Sequence, residues 1–323
     1  MKTKLLVVFL TICKIINAQW TAANSGLTDF FVKTFAVNNG TIFCGTNDGG
    51  QWTQINSGLT YSNIYYLESS GSDLFAGTFG GGLFRSTDNG NTWSAANTGL
   101  TSNTVTSIAI TATNVFVLTF SAGVFRSTNN GSNWSPVNSG ITNLNIRCVG
   151  ISGSNIFAGS SGGGIFLSTD NGNTWNPVNT GLTNLSIYAI AFGGSSIYVS
   201  TSGGGFYSTN NGSNWVAINT GLTNLDVFSL AINGNTLYAG TTGGGVFYSS
   251  NNGGNWSSIN NGLISIYILS LKIKRPAVFL GCATDGAFIR QLSDVGLNER
   301  EPDNDQIAIF PINVFKIASH NLT

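Results

Sequence analysis

Charge is what this chain has least of. Only 8% of its 323 residues are Asp, Glu, Lys or Arg, and the two signs balance at 13 each. A net charge of zero gives no long-range field for nucleic acid or an anionic membrane, so nucleic-acid partners are not expected. Histidine is nearly absent: the one copy is His320, in the C-terminal tail. That excludes a Ser–His–Asp triad from the body of the chain. Four cysteines, Cys13, Cys44, Cys148 and Cys282, fit no zinc spacing and no CxxC pair. They read as small buried hydrophobes, and neither a metal nor a cofactor is expected. No apolar run is long enough for a transmembrane helix. No segment stays free of Gly and β-branched residues long enough to favour a helix of any kind.

The chain is rich in 42 Gly, 21 Phe and strictly spaced Trp. The tryptophans are Trp20, Trp52, Trp93, Trp134, Trp175, Trp215 and Trp256; after a first gap of 32 they follow at 41, 41, 41, 40 and 41. A second marker, Asn-(Ser/Thr/Asn)-Gly-(Leu/Ile), keeps the same step at Gly26, Gly58, Gly99, Gly140, Gly181, Gly221 and Gly262. A period near 41 belongs to propeller blades or helical repeats. Between Gly99 and Asn138 stand TVTSIAI, NVFVLTF, AGVFRST and WSPVN, parted by Gly/Asn turns. Four short β-rich segments per repeat select the propeller.

The expected fold is therefore all-β: a seven-bladed β-propeller over residues 19–292. The last unit lacks a fourth strand and the repeat region opens at Gln19 with QWTAANSGL, a fourth strand with no other strand of its unit before it. Pairing that N-terminal strand with the last three strands would close the ring and remove two open sheet edges. The first unit is nine residues short, which predicts the loss of its third strand. Residues 1–18, with Lys2 and Lys4 before a short apolar run ending near Ala18, read as a signal peptide. Residues 293–306 are charged and linker-like, and 307–323 form an alternating apolar tail. A secreted or cell-surface location and a monomeric state are expected.

STDNGNTW at 86–93 returns unchanged at 168–175 and as near-copies at 127–134, 208–215 and 249–256. Asp88 and Asp170 can accept backbone hydrogen bonds, and Asn129, Asn210 and Asn251 can do so without charge. Gly90 and Gly172 suit positive φ. Asn substitution would end acid–base chemistry but keep a turn, so the motif reads as scaffold. Ser-x-Asp-x-Gly-x-Thr-Trp resembles the Asp-box, or bacterial neuraminidase repeat. Ser86, Asp88, Gly90 and Trp93 match it, as do Ser168, Asp170, Gly172 and Trp175; the copies ending at Trp134, Trp215 and Trp256 carry Asn in place of Asp. The resemblance covers 19–292 and implies a propeller similar to those of sialidases, sortilin-type receptors, some glycoside hydrolases and the photosystem II assembly factor family. It also implies a structural, peripheral role for the motif. The tail around Phe310-Pro311-Ile312-Asn313 resembles the start of the C-terminal sorting domain of type IX secretion cargo in Bacteroidetes, without that element's second Pro.

Seven residues after each marker Gly the repeats disagree: Lys33, Tyr65, Thr106, Arg147, Tyr188, Phe228 and Leu269. Variation against a near-identical background marks either a tailored pocket or relaxed packing at the channel mouth. Lys33, Tyr65, Arg147, Tyr188 and Phe228 are the candidate ligand-binding residues, and no catalytic residue is assigned. The expected role is a non-catalytic binding or adhesion scaffold for a glycan or protein ligand. The alternatives are a polysaccharide-acting glycoside hydrolase related to the sialidases and an assembly factor for a membrane protein complex.

Overall fold

The computed structural model describes residues 19–23, 32–38, 41–46, 53–54, 57–61, 63–71, 73–275, 277–292 and 315–317. The expected signal segment and linker lie outside these. The strands form seven four-stranded antiparallel sheets, but the sheets are not seven equivalent blades.

Six are complete blades of the repeat. Five use four consecutive strands: β5–β8 (Ile64–Ser70, Asp73–Thr78, Leu83–Ser86, Ser94–Ala95), then β9–β12, β13–β16, β17–β20 and β21–β24, which together run from Val105 to Ser258. The sixth joins β25 (Ile268–Lys274), β26 (Ala277–Cys282) and β27 (Ala287–Gln291) to β1 (Thr21–Ala22). There Thr21 faces Ile289 and Ala22 faces Phe288, so the N-terminal strand completes the C-terminal blade.

The seventh sheet is of another make. β2 (Val32–Asn38), β3 (Thr41–Thr46) and β4 (Thr53–Gln54) lack a third strand of their own. Its place is filled by β28 (Phe315–Ile317) from the tail, antiparallel to both β3 and β4. The expectation of seven repeat blades is corrected to six complete blades plus this composite sheet. The physical reason is the nine-residue deficit: β3 and β4 cannot pair through a strand that is not there, and a borrowed strand covers the two edges. The innermost strands β2, β5, β9 (Val105–Ile110), β13 (Ile146–Ser152), β17 (Ile187–Gly193), β21 (Val227–Asn233) and β25 contact one another in order, and β25 returns to β2.

Blades are joined by the two sequence markers acting together. Five tryptophans, Trp20, Trp134, Trp175, Trp215 and Trp256, donate their indole N–H to a backbone carbonyl of the blade before: Trp134 Nε1 to Ala96 O at 2.8 Å, Trp175 to Val137 O at 2.8 Å, and Trp20 to Ile259 O at 2.7 Å across the closure. The Trp backbone N–H also donates to the residue before the marker Gly, as Trp215 does to Thr180 at 2.8 Å. Gly181 sits at φ +91°, and a Cβ there would collide with the Trp215 carbonyl oxygen. Close backbone approach therefore explains why Gly and Trp keep the same step. The marker Asn has a separate task. Asn179 Oδ1 accepts from Ile165 N at 2.7 Å and Asn179 Nδ2 donates to Gly163 O at 3.1 Å, which fixes the start of the third strand.

The STDNGNTW turn links strands three and four. Ser86 Oγ donates to Asp88 Oδ1 at 2.7 Å and accepts from Gly90 N at 2.8 Å. Asp88 also accepts from Thr92 N at 2.8 Å and from Thr92 Oγ1 at 2.6 Å. These donors hold the Asp88 carboxyl down at about 2, and Thr174 and Ser168 do the same for Asp170. Asn129 keeps the same frame, taking Ser127 Oγ at 2.8 Å and Asn133 N at 2.9 Å. Asn210 and Asn251 repeat it. Cys148 and Cys282 are buried free thiols, with burial pushing both upward in pKa.

Candidate functional site

The varied position of the repeat has a precise backbone meaning. In β5, Ile64 pairs with Thr78 and Tyr66 with Gly77, so Tyr65 is skipped by the ladder. The same one-residue bulge falls at Lys33, Thr106, Arg147, Tyr188, Phe228 and Leu269. A bulge leaves its extra residue unpaired and re-aims its side chain. Here the re-aimed side chains of five successive inner strands come together.

They line a cavity of about 340 Å³ formed by Tyr65, Phe79, Thr104, Thr106, Phe120, Arg147, Tyr188 and Phe228. Tyr65 stacks on Phe79 at 5.6 Å between ring centres and Tyr188 packs against Phe228 at 5.2 Å. The Arg147 guanidinium lies 5.0 Å above the Tyr188 ring. Phe79 is 52% exposed and Phe120 45%, unusual for Phe in a single folded domain. Thr106 Oγ1 is committed to backbone, at 3.0 Å from Leu118 O and 2.7 Å from Ile146 O. The cavity is thus mostly aromatic, with one cation and, among its described lining residues, no carboxylate.

Of the residues singled out from sequence, Tyr65, Arg147, Tyr188 and Phe228 come together in this one cavity. Lys33 occupies the bulge of β2, but its side chain lies outside the described residues. Phe79, Phe120 and Thr104 were not anticipated. Phe79 and Phe120 stand one residue past the second strand of their blades, where other repeats carry Ser161, Ser202 or Thr242. That substitution of a ring for a hydroxyl was the available signal.

Asp226 stands just before β21, and its carboxylate accepts the Thr242 hydroxyl. Glu68 belongs to a separate cavity with Tyr66, Ile108, Ile110 and Phe192. Burial raises the Glu68 carboxyl above its usual range, opposed by Lys272, by the Ser69 N–H at 3.2 Å and by the Tyr66 hydroxyl. Among the described residues no three His, Cys, Asp or Glu side chains group as metal ligands. Among those residues, too, no helix is long and apolar enough to cross a membrane.

Residues 82–188 match a family model described as the DUF6242 beta propeller domain. No curated protein matches the chain. Solved structures share the propeller fold at low identity. The extracellular domain of the hybrid two component system BT3049 from B. thetaiotaomicron superposes with a TM-score of 0.69 at 14% identity, covering 84% of this chain and 42% of that one. YCF48 from Cyanidioschyzon merolae gives a TM-score of 0.62 at 16% identity, covering 85% and 98%. The Niastella koreensis GH74 enzyme gives 0.57 at 18% identity, covering 80% and 43%. The chain therefore spans about two-fifths of the first of these proteins. The fold is shared by a sensor's extracellular domain and by an enzyme, so fold alone assigns no activity.

Proposed function

We propose that this chain is a secreted or cell-surface, non-catalytic β-propeller that binds a glycan or protein ligand at its channel mouth. One observation carries the reading: five successive bulges bring Tyr65, Thr106, Arg147, Tyr188 and Phe228 to one open aromatic cavity. Aromatic rings left exposed around a concave site supply contact area at low entropic cost. The absence of facing carboxylates in the described lining argues against glycoside hydrolysis there, which uses two. The extracellular neighbour is in keeping with an exported location.

The test is a glycan array together with a pull-down from surface extract, using the wild-type chain and Tyr188→Ala. Specific capture by the wild type that is lost in Tyr188→Ala supports the proposal. No capture on either platform, or capture unchanged by the substitution, refutes it. Turnover on a polysaccharide panel would replace it with the hydrolase reading.

A further inference from the structure

We propose that the mouth cavity takes the C-terminal end of a polypeptide, with its α-carboxylate on Arg147 and its last apolar side chain among the rings. This rests on the binding role proposed above and narrows the ligand to one chemistry.

The argument starts from Arg147. Its guanidinium carries five N–H donors, and the Tyr188 face beneath it accepts none in plane. No carboxylate stands among the described residues lining the cavity. A half-buried cation without an acid in its pocket, in a chain with so little charge, is best matched by an anionic ligand. The aromatic walls weaken solvent screening and strengthen that match. One arginine suits a planar monoanion, which it can hold bidentately; a phosphate dianion calls for further cations.

The rest of the cavity selects what carries the carboxylate. Tyr65, Phe79, Phe120, Tyr188 and Phe228 offer ring faces, the Thr106 hydroxyl proton is already donated to backbone, and besides Arg147 the Tyr65, Thr104 and Tyr188 hydroxyls are the other polar groups among the described lining side chains. A sugar brings many hydroxyls and would leave them poorly matched. An apolar side chain needs no such partners.

The surroundings favour a polypeptide over a small free acid. The residues just before successive inner strands place Leu144, Leu185 and Leu225 in the open, at 39%, 38% and 43% exposure. Ile264 at 79% and Tyr267 at 54% continue this apolar crown. A chain leaving the cavity would cross it and cover it; a single small acid would leave it bare.

The probe is the peptide Ala-Leu-Ala-Leu-Phe, as free acid and as C-terminal amide, titrated into the whole protein by calorimetry. 3-Phenylpropionate is the small-acid control. The free acid should bind about tenfold or more tightly than the amide, the scale of one charge-assisted hydrogen-bonded pair. Arg147→Gln should abolish that preference without shifting the melting temperature, and 3-phenylpropionate should bind more weakly than the peptide. Equal binding of acid and amide overturns the proposal, as does phenylpropionate binding as tightly as the peptide. If neither peptide binds but an arrayed glycan does, and Tyr188→Ala abolishes this, the peptide proposal falls while the binding role stands. If nothing binds, both fall.

Discussion

The joint between blades can be tested by moving one methyl group. Gly181 and Gly194 both have positive φ, at +91° and +58°. An alanine at either pays for a backbone conformation that L-residues avoid, about 1–2 kcal/mol. At Gly194 that is the whole cost, because a Cβ there meets nothing within 4 Å. At Gly181 the Cβ runs into the backbone oxygen of Trp215, which no side-chain rotation relieves. The fourth strand of the neighbouring blade must then retreat. Two hydrogen bonds go with it: Trp215 N to Thr180 O at 2.8 Å and Trp215 Nε1 to Val178 O at 2.8 Å. At about 0.5–1.5 kcal/mol each, they add about 1–3 kcal/mol. Gly181→Ala should therefore cost about 2–5 kcal/mol and Gly194→Ala about 1–2 kcal/mol. Urea unfolding followed by tryptophan fluorescence reads both, as a difference in midpoint at unchanged slope. Equal midpoints for the two variants would refute the close-approach account of the marker glycine.

Other outcomes follow from the same geometry. Trp134→Phe keeps a benzene ring but removes the pyrrole and with it the 2.8 Å bond to Ala96 O, and should cost upward of about 1 kcal/mol, the hydrogen bond plus the void left behind, by the same unfolding assay. Deleting residues 19–23 removes β1 and buried Trp20, and should lower stability by more than the ~3–5 kcal/mol typical of losing a buried aromatic; an unchanged melting temperature would sink the closure. Asp88 and Asp170 have depressed pKa values, so their contribution is complete above the unfolded value of 3.8 and fades as pH falls toward 2. The double change to Asn should flatten acid unfolding in that window and lower the melting temperature at pH 7, where the contribution it removes is complete. Glu68 has the opposite sign: its raised pKa means that the folded state holds the proton longer, so stability falls as pH rises through the interval above 4.5. Glu68→Gln should remove that slope in melting temperatures taken across pH.

Much of this was legible because the repeat compares itself. The step shared by Trp and Gly exposed the strands, and it has a contact behind it, since the two touch across blades. The disagreeing position led to the mouth because a bulged residue owes the ladder nothing and is free to vary. Two things were hidden. The partner of β3 and β4 stands some 260 residues further along, in a three-residue strand with no repeat pattern to mark it. Phe120 closed NVFVLTF, a segment read as strand, and Phe79 held the equivalent place one blade earlier, where a ring in place of a hydroxyl passes for noise until the third dimension brings it beside Tyr65 and Thr106.

The bulge also separates two kinds of inheritance. Because the ladder closes over the skipped residue, exchanging Tyr65, Arg147, Tyr188 or Phe228 leaves each strand's own hydrogen bonds in place. Recognition can then drift one blade at a time while the ring is conserved by a different set of side chains. A library randomised at those positions should yield folded members at high frequency, with new ligands reached by point changes rather than by rebuilding loops.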